Sequence, residues 1–154
     1  MINFQKLFLD IFFPRQCISC GRPDTWLCEG CRSKIVLIKS PTCPACKKLT
    51  PKGQFCPRCR PKTSLTGIMV TAYYKEGPLR DAITNYKYKY IAELSDPLSD
   101  LLVNHLQVFT LLSNPILIPV PLHKSRLRQR GFNQSAILAK KVAESFGLDY
   151  EKKS

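Results

Sequence analysis

No stretch of the sequence approaches the roughly 18 uninterrupted apolar residues that a transmembrane helix needs, which excludes a span of that kind. A small-residue cleavage site is also missing after the apolar N-terminus MINFQKLFLDIFFP. There Ile2, Phe4, Leu7, Phe8, Ile11 and Phe12 recur at helical spacing, with Asn3, Gln5, Lys6 and Asp10 between them. The pattern predicts a short amphipathic helix over residues 1–14, ended by Pro14, in place of a secretory leader. A cytoplasmic location is the matching expectation. Acidic residues are scarce: 11 Asp and Glu stand against 24 Lys and Arg in 154 residues, a formal net charge of +13. Such an excess points to a polyanionic partner, either nucleic acid or a phosphorylated small molecule. Disorder is excluded by composition, because 44% of the residues are hydrophobic.

Cysteine is abundant and tightly confined. All eight cysteines lie between residues 17 and 59, as the pairs CISC, CEGC, CPAC and CPRC. A two-residue gap lets two thiolates face one ion while the amides of the turn stabilise their charge, so two such knuckles complete a tetrahedral zinc site. A lone CxxC would suit redox chemistry, and a disulfide framework would suit a small secreted domain. Four knuckles with no leader favour zinc over both. Sequential grouping places Cys17, Cys20, Cys28 and Cys31 on one ion and Cys43, Cys46, Cys56 and Cys59 on the other. The linkers inside those groups are short, seven and nine residues. A cross-braced grouping, first knuckle with third and second with fourth, is the alternative. Four thiolate ligands leave no open position for water, so both ions are structural. Residues 15–63 hold few large apolar side chains, and metal binding supplies much of their folding free energy. Trp26, between two knuckles, reads as packing within this module and not as a base-stacking platform.

Beyond the linker PKTSLTG the texture changes. GIMVTAYY (67–74) is β-branched and aromatic and predicts a strand. KEG makes a turn, and Pro78 suits the first turn of a helix carrying Leu79, Ala82, Ile83 and Tyr86 on one face. Ser95 precedes a second amphipathic helix with Leu98, Leu101, Leu102, Leu106 and Phe109 inward, broken at Asn114-Pro115. His105 on that helix reads as exposed or half-buried. PILIPVP (115–121) is a short apolar run of the kind buried on both faces of a parallel sheet. LHKSRLRQRGFNQ reads as a polar loop, and SAILAKKVAESFG (135–147) as a helix capped by Gly147. The order is that of an α/β domain.

The loop holds the candidate ligand site. In open α/β sheets, ligands gather beyond the carboxyl ends of strands, at helix N-termini whose free amides favour anions. Arg126, Arg128 and Arg130 supply forks for phosphate oxygens. Gly131 permits close backbone approach, and Asn133 is placed as an N-cap or a ligand donor. An isolated run of this kind is often a solvated basic loop. The strand-to-helix setting favours a phosphate or pyrophosphate site instead. His123 has the chemistry of a general acid or base, though a histidine there more often only hydrogen-bonds the loop. No catalytic residue is assigned.

The cysteine pairs, AYYKEGPLRDAITNYKY and above all IPVPLHKSRLRQRGFNQSAILAKKVA together resemble the ComF family of phosphoribosyltransferase-like proteins, from about residue 13 to residue 147. The resemblance implies an N-terminal double zinc ribbon, residues 15–63, followed by the first part of a type I phosphoribosyltransferase-like parallel-sheet domain in residues 64–154. It implies a role in handling DNA during natural competence, with single-stranded DNA and a DNA-translocating competence helicase as partners. It also implies that Pro121 to Asn133 would meet the pyrophosphate of phosphoribosyl pyrophosphate. The sequence departs from the family at one point. The paired acids and Thr-Thr-Gly turn that cradle ribose 5-phosphate are missing: none of the Asp residues has an acidic neighbour. The chain ends about where a third strand would begin, so the implied domain is incomplete, truncated at the C-terminus. Magnesium with phosphoribosyl pyrophosphate is expected only of a fuller form, and this stretch alone is expected to be unstable or inactive.

Three functions fit these residues. One is a transferase using phosphoribosyl pyrophosphate. Another is a zinc-ribbon module that binds single-stranded DNA, to which the aromatic and basic interleaving of NYKYKY (85–90) would contribute stacking. The third is a remnant with no activity of its own. NYKYKY also fits an ordinary helix face with solvated lysines.

Overall fold

The computed structural model describes residues 14–107 and 115–151. The expected N-terminal helix, Phe109 and the break at Asn114 lie outside them. The described chain opens with two knuckle pairs built alike. In the first, the Cys17 amide donates to the Arg22 carbonyl at 2.7 Å and the Gly21 amide to the Cys17 carbonyl at 2.8 Å. In the second, Cys43 donates to Lys48 at 2.7 Å and Lys47 to Cys43 at 3.0 Å. Single antiparallel bridges, Gln16 to Pro23 and Thr42 to Leu49, close the two turns in the same register. Both turns need a left-handed residue just after the second cysteine. Gly21 meets this at φ +76° without strain, whereas Lys47 adopts φ +62° at a steric cost. The second knuckle of the first ribbon runs into a short helix, α1 (Glu29–Arg32), and that of the second ribbon into a 3-10 turn, Arg60–Lys62.

Residues 67–74 do not form the expected strand of a parallel sheet. They run extended and bridge singly to the ribbons, Gly67 to Gln54 and Ala72 to Leu37. Backbone bonds follow the same route, Ile68 to the Gly53 carbonyl at 3.0 Å and Ile38 to the Thr71 carbonyl at 2.9 Å. Two glycines allow the close approach. A Cβ on Gly53 would fall against the Ile68 carbonyl oxygen, and one on Gly67 would lie 2.8 Å from the Gly53 carbonyl oxygen. The β-branched pattern was correctly extended, but its backbone partners are the ribbons.

Helix α2 (Pro78–Tyr88) begins with Pro78 in its first turn and Asp81 near its positive end. Its buried stripe is Ala82 and Tyr86. After the 3-10 turn Ala92–Leu94 comes α3 (Ser95–Gln107), with Leu98, Leu101 and His105 on its buried face. His105 is only 3% exposed, which corrects the reading of an exposed or half-buried helical residue. Its position, four residues beyond Leu101, places it on the apolar stripe whatever its polarity.

One hydrophobic cluster joins the first ribbon to these helices. Leu27, Ile35 and Cys17, Cys28 and Cys31 pack with Tyr86, Leu94, Leu98 and Leu101, and Trp26 lies against them. Each fully buried Leu contributes about 1.5–3 kcal/mol. Arg32 of α1 reaches Asp100 of α3 at 3.5 Å. The second ribbon contributes nothing to this cluster; its Cys43 is buried within its own knuckle.

The final part is a small parallel unit. Strand β1 (Ile116–Leu117) pairs in parallel with β2 (Asp149–Tyr150), Ile116 opposite Asp149 and Leu117 opposite Tyr150. Between them lie α4 (Lys124–Arg130) and α5 (Gln134–Phe146). The 115–121 run is not buried on both faces. Ile116, Ile118 and Val120 are 59%, 55% and 73% exposed, while α5 covers the other side. Apolar composition alone cannot say whether a second layer covers the far face. The expected polar loop is largely helix α4, begun by His123 and ended by Gly131 at φ +77°. Helix α5 packs on α3, fastened by an ion pair between Lys141 and Asp96, and Gly147 closes it in the left-handed conformation.

Candidate functional site

Each ribbon gathers four sulfur atoms. The Sγ atoms of Cys17, Cys20, Cys28 and Cys31 all lie within 4.8 Å of one another, as do those of Cys43, Cys46, Cys56 and Cys59. Tetrahedral zinc with bonds of about 2.3 Å separates its sulfurs by about 3.8 Å, so both sets fit the ion. The Cys20–Cys28 and Cys46–Cys56 separations, 3.5 and 3.6 Å, agree. The grouping is therefore sequential, not cross-braced. Backbone amides prepare a thiolate in each: Cys28 N–H points at Cys17 Sγ and Cys56 N–H at Cys43 Sγ, both at 3.5 Å. Burial opposes ionisation of Cys17, yet the amides of Cys28, Ser19 and Cys20 bring its thiol down to about 6. The Cys46 and Cys56 amides bring Cys43 to about 6 as well. Burial, with the neighbouring sulfurs, pushes Cys31 up to about 12; hydrogen bonding to Cys56, then burial, does the same for Cys59. The first cysteine of each site is thus eased toward the thiolate, as is Cys56, while the last favours its protonated form. Zinc displaces those protons, and four thiolates leave it no free position for a substrate.

The arginines predicted to form one phosphate loop are divided by helix α4. At 100° per residue, Arg126 and Arg130 share a face and Arg128 points elsewhere. Arg126 and Arg130, with Gln129, line a cleft of about 200 Å³ whose other wall is Tyr88 and Tyr90 from the end of α2. The Arg130 guanidinium lies 5.7 Å from the centre of the Tyr88 ring, and its Nη1 donates to Gln134 Oε1 at 3.0 Å. Tyr88 and Tyr90 are 65% and 38% exposed, and Tyr90 sits at φ +59°, a left-handed position uncommon for an aromatic residue. Tyr86 of the same run turns inward instead, its hydroxyl donating to the Gln134 carbonyl at 3.0 Å. Burial pushes that phenol up to about 12.

Gly131 and Asn133 fall on a second, larger cleft of about 800 Å³, together with Pro121, His123, Leu127 and Phe132. None of the three arginines lines it. Asn133 is committed to structure: its Oδ1 accepts from the Ser135 and Ala136 amides at 3.1 and 3.4 Å, and its Nδ2 donates to the Val120 carbonyl at 3.1 Å. It is the N-cap of α5 and ties that helix to the end of the β1 segment. His123 accepts the Ser125 amide on Nδ1 at 3.3 Å and caps α4. Gln129 and the pairing of tyrosines with arginines escaped the sequence reading. The signal was available in the His123-x-Ser125 start and the i, i+4 spacing of Arg126 and Arg130, had the segment been taken as helical.

The double zinc ribbon domain family matches residues 8–60. Two four-cysteine knuckle pairs in repeated geometry define the class: a double zinc ribbon protein, whose two sites fit two structural zinc ions. Competence protein ComFC of Bacillus subtilis (strain 168) is 27% identical over 125 residues, covering 77% of this chain and 52% of that relative. With its N-terminal zinc ribbon, the chain is similar to this ComF protein, and it spans about half the length of the relative it matches. No solved structure matches it. Among the described residues no helix is long and apolar enough to cross a membrane.

Proposed function

We propose that this chain binds single-stranded DNA during DNA uptake, gripping it where the end of α2 meets α4. The observation that carries this reading is the convergence of Tyr88 and Tyr90 with Arg126 and Arg130, residues far apart in sequence, around one open cleft. Exposed aromatic rings stack on bases of any sequence, and arginine forks hold the phosphates between them. The likeness to a competence protein supports the same reading, as does the net charge of +13. A DNA-translocating helicase is the partner it implies. In fluorescence anisotropy with a single-stranded oligonucleotide, Tyr88→Ala is expected to weaken binding about tenfold, since stacking contributes about 1–3 kcal/mol per base. Unchanged affinity in Tyr88→Ala and Tyr90→Ala would sink the proposal.

A second reading rests on the cleft of about 800 Å³ at Gly131 and His123, beyond the β1 segment and beside the start of α5. We propose it as the place where a fuller form of this protein would take phosphoribosyl pyrophosphate with magnesium. Helix N-termini favour such anions. The absence of all three arginines from its lining makes it the weaker of the two. Heat of binding in isothermal titration with phosphoribosyl pyrophosphate and magnesium supports it, and its loss in Gly131→Val would locate it.

A further inference from the structure

We propose that the second zinc ribbon is a separate nucleic-acid docking face, with Lys48, Arg58 and Lys62 contacting phosphates. This deepens the single-stranded DNA reading and rests on it. No Asp or Glu stands between Glu29 and Glu76, so the whole second ribbon and the segment after it lack acid. The first ribbon, otherwise its structural repeat, carries both Asp24 and Glu29. Elsewhere among the described residues four cations pair with acids: Arg32 with Asp100, Arg80 with Glu76, Lys140 with Glu144 and Lys141 with Asp96.

The second ribbon's own cations divide into two sets. Lys47 donates to the Pro44 carbonyl at 3.1 Å, and Arg60 to the carbonyls of Thr63 and Leu65 at 3.0 and 2.9 Å, so these two hold the ribbon's turns. Lys48, Arg58 and Lys62 are exposed, and their side chains make no hydrogen bond or ion pair among the described residues. All three line one cleft of about 430 Å³, with the half-buried Phe55 at its edge. The plain alternative is that they merely offset the two negative charges of a zinc tetrathiolate. Lys47, Lys48, Lys52, Arg58, Arg60 and Lys62 outnumber those two charges, and the surplus repels itself until a polyanion meets it. A backbone of regularly spaced phosphates suits such a knuckle of dispersed cations better than a compact acidic side chain does.

The test uses the full chain, oligo-dT of about 20 nucleotides, and two triple variants: Lys48→Gln/Arg58→Gln/Lys62→Gln and the charge-preserving Lys48→Arg/Arg58→Lys/Lys62→Arg. Zinc content reports folding. The neutral triple is expected to keep the zinc content of the parent and to lose tenfold or more in affinity. Its log–log salt slope is expected to shrink by about 2, at about 0.7 per phosphate contact. The charge-preserving triple is expected to bind like the parent. If the neutral triple keeps the parental affinity and slope while Tyr88→Ala weakens binding, this proposal fails and the cleft at α4 survives alone. A parent chain that does not bind oligo-dT overturns both. Loss in the neutral triple of binding to anionic phosphatidylserine vesicles, with oligo-dT affinity intact, overturns it in favour of a lipid surface.

Discussion

His105 shows how a single residue can carry a pH dependence without any role in the site. It lies on the buried face of α3, and burial holds its imidazole below the usual 6.5. The folded chain therefore keeps it neutral, while the unfolded chain takes up a proton as the pH falls through 6.5. Stability present above that value is lost as the pH drops toward the folded pKa. With zinc held constant, the urea midpoint is expected to fall between about pH 7.5 and about pH 5.5, and the His105→Gln variant to show a flatter profile over the same window. Equal slopes would show that His105 does not titrate differently in the two states. Periodicity places this position on the stripe of Leu98 and Leu101, although the sequence reading left it exposed or half-buried. The polarity of its side chain concealed its burial, because apolar patterning describes a face and not each member of it.

Among elements, the informative one is the extended segment 67–74, which the sequence reading assigned to a sheet. Its β-branched residues do prefer an extended backbone, but propensity does not choose a partner strand. The partner here is set by two glycines. Gly53, at φ +69°, packs its backbone directly on Ile68, where any Cβ would collide with a carbonyl. Gly53→Ala is expected to cost about 1–3 kcal/mol in chemical denaturation and to expose residues 64–77 to proteolysis. Gly30→Ala is the matched control. It lies in α1 with open space around its Cβ position, so it is expected to be neutral or stabilising by up to about 1 kcal/mol. If both variants behave alike, the close approach at Gly53 does not hold this segment. Helix α4 illustrates a related lesson. Three arginines at alternate positions look extended or irregular, yet the capping residues His123 and Gly131 mark the two ends of a helical turn.

At the scale of the molecule, the two zinc sites are alike in geometry and unequal in consequence. The first shares its hydrophobic cluster with α2 and α3 through Cys17, Cys28, Cys31, Leu27 and Ile35. The second stands outside that cluster and leaves Cys46 exposed and Cys56 and Cys59 half-exposed. Cys28→Ser is expected to lose one zinc and to destabilise the helical far-ultraviolet signal by about 3 kcal/mol or more. Cys56→Ser is expected to lose one zinc and leave that signal within about 1 kcal/mol of the parent. Matching losses in the two variants would contradict a core shared with the first ribbon alone. Local chemistry was enough to read several features from the sequence. CxxC spacing specifies a metal knuckle, Pro78 and Gly147 mark helix ends, and Asn133 is an N-cap, because each depends on residues within a turn or two of one another. Only the tertiary structure decided which helices the first ribbon packs on, that β1 lies open on one face, and that Tyr88 meets Arg130 across a cleft while Arg128 does not. Those outcomes depend on contacts between residues tens of positions apart, and burial of apolar surface, being non-directional, leaves such partners unspecified until the chain has folded.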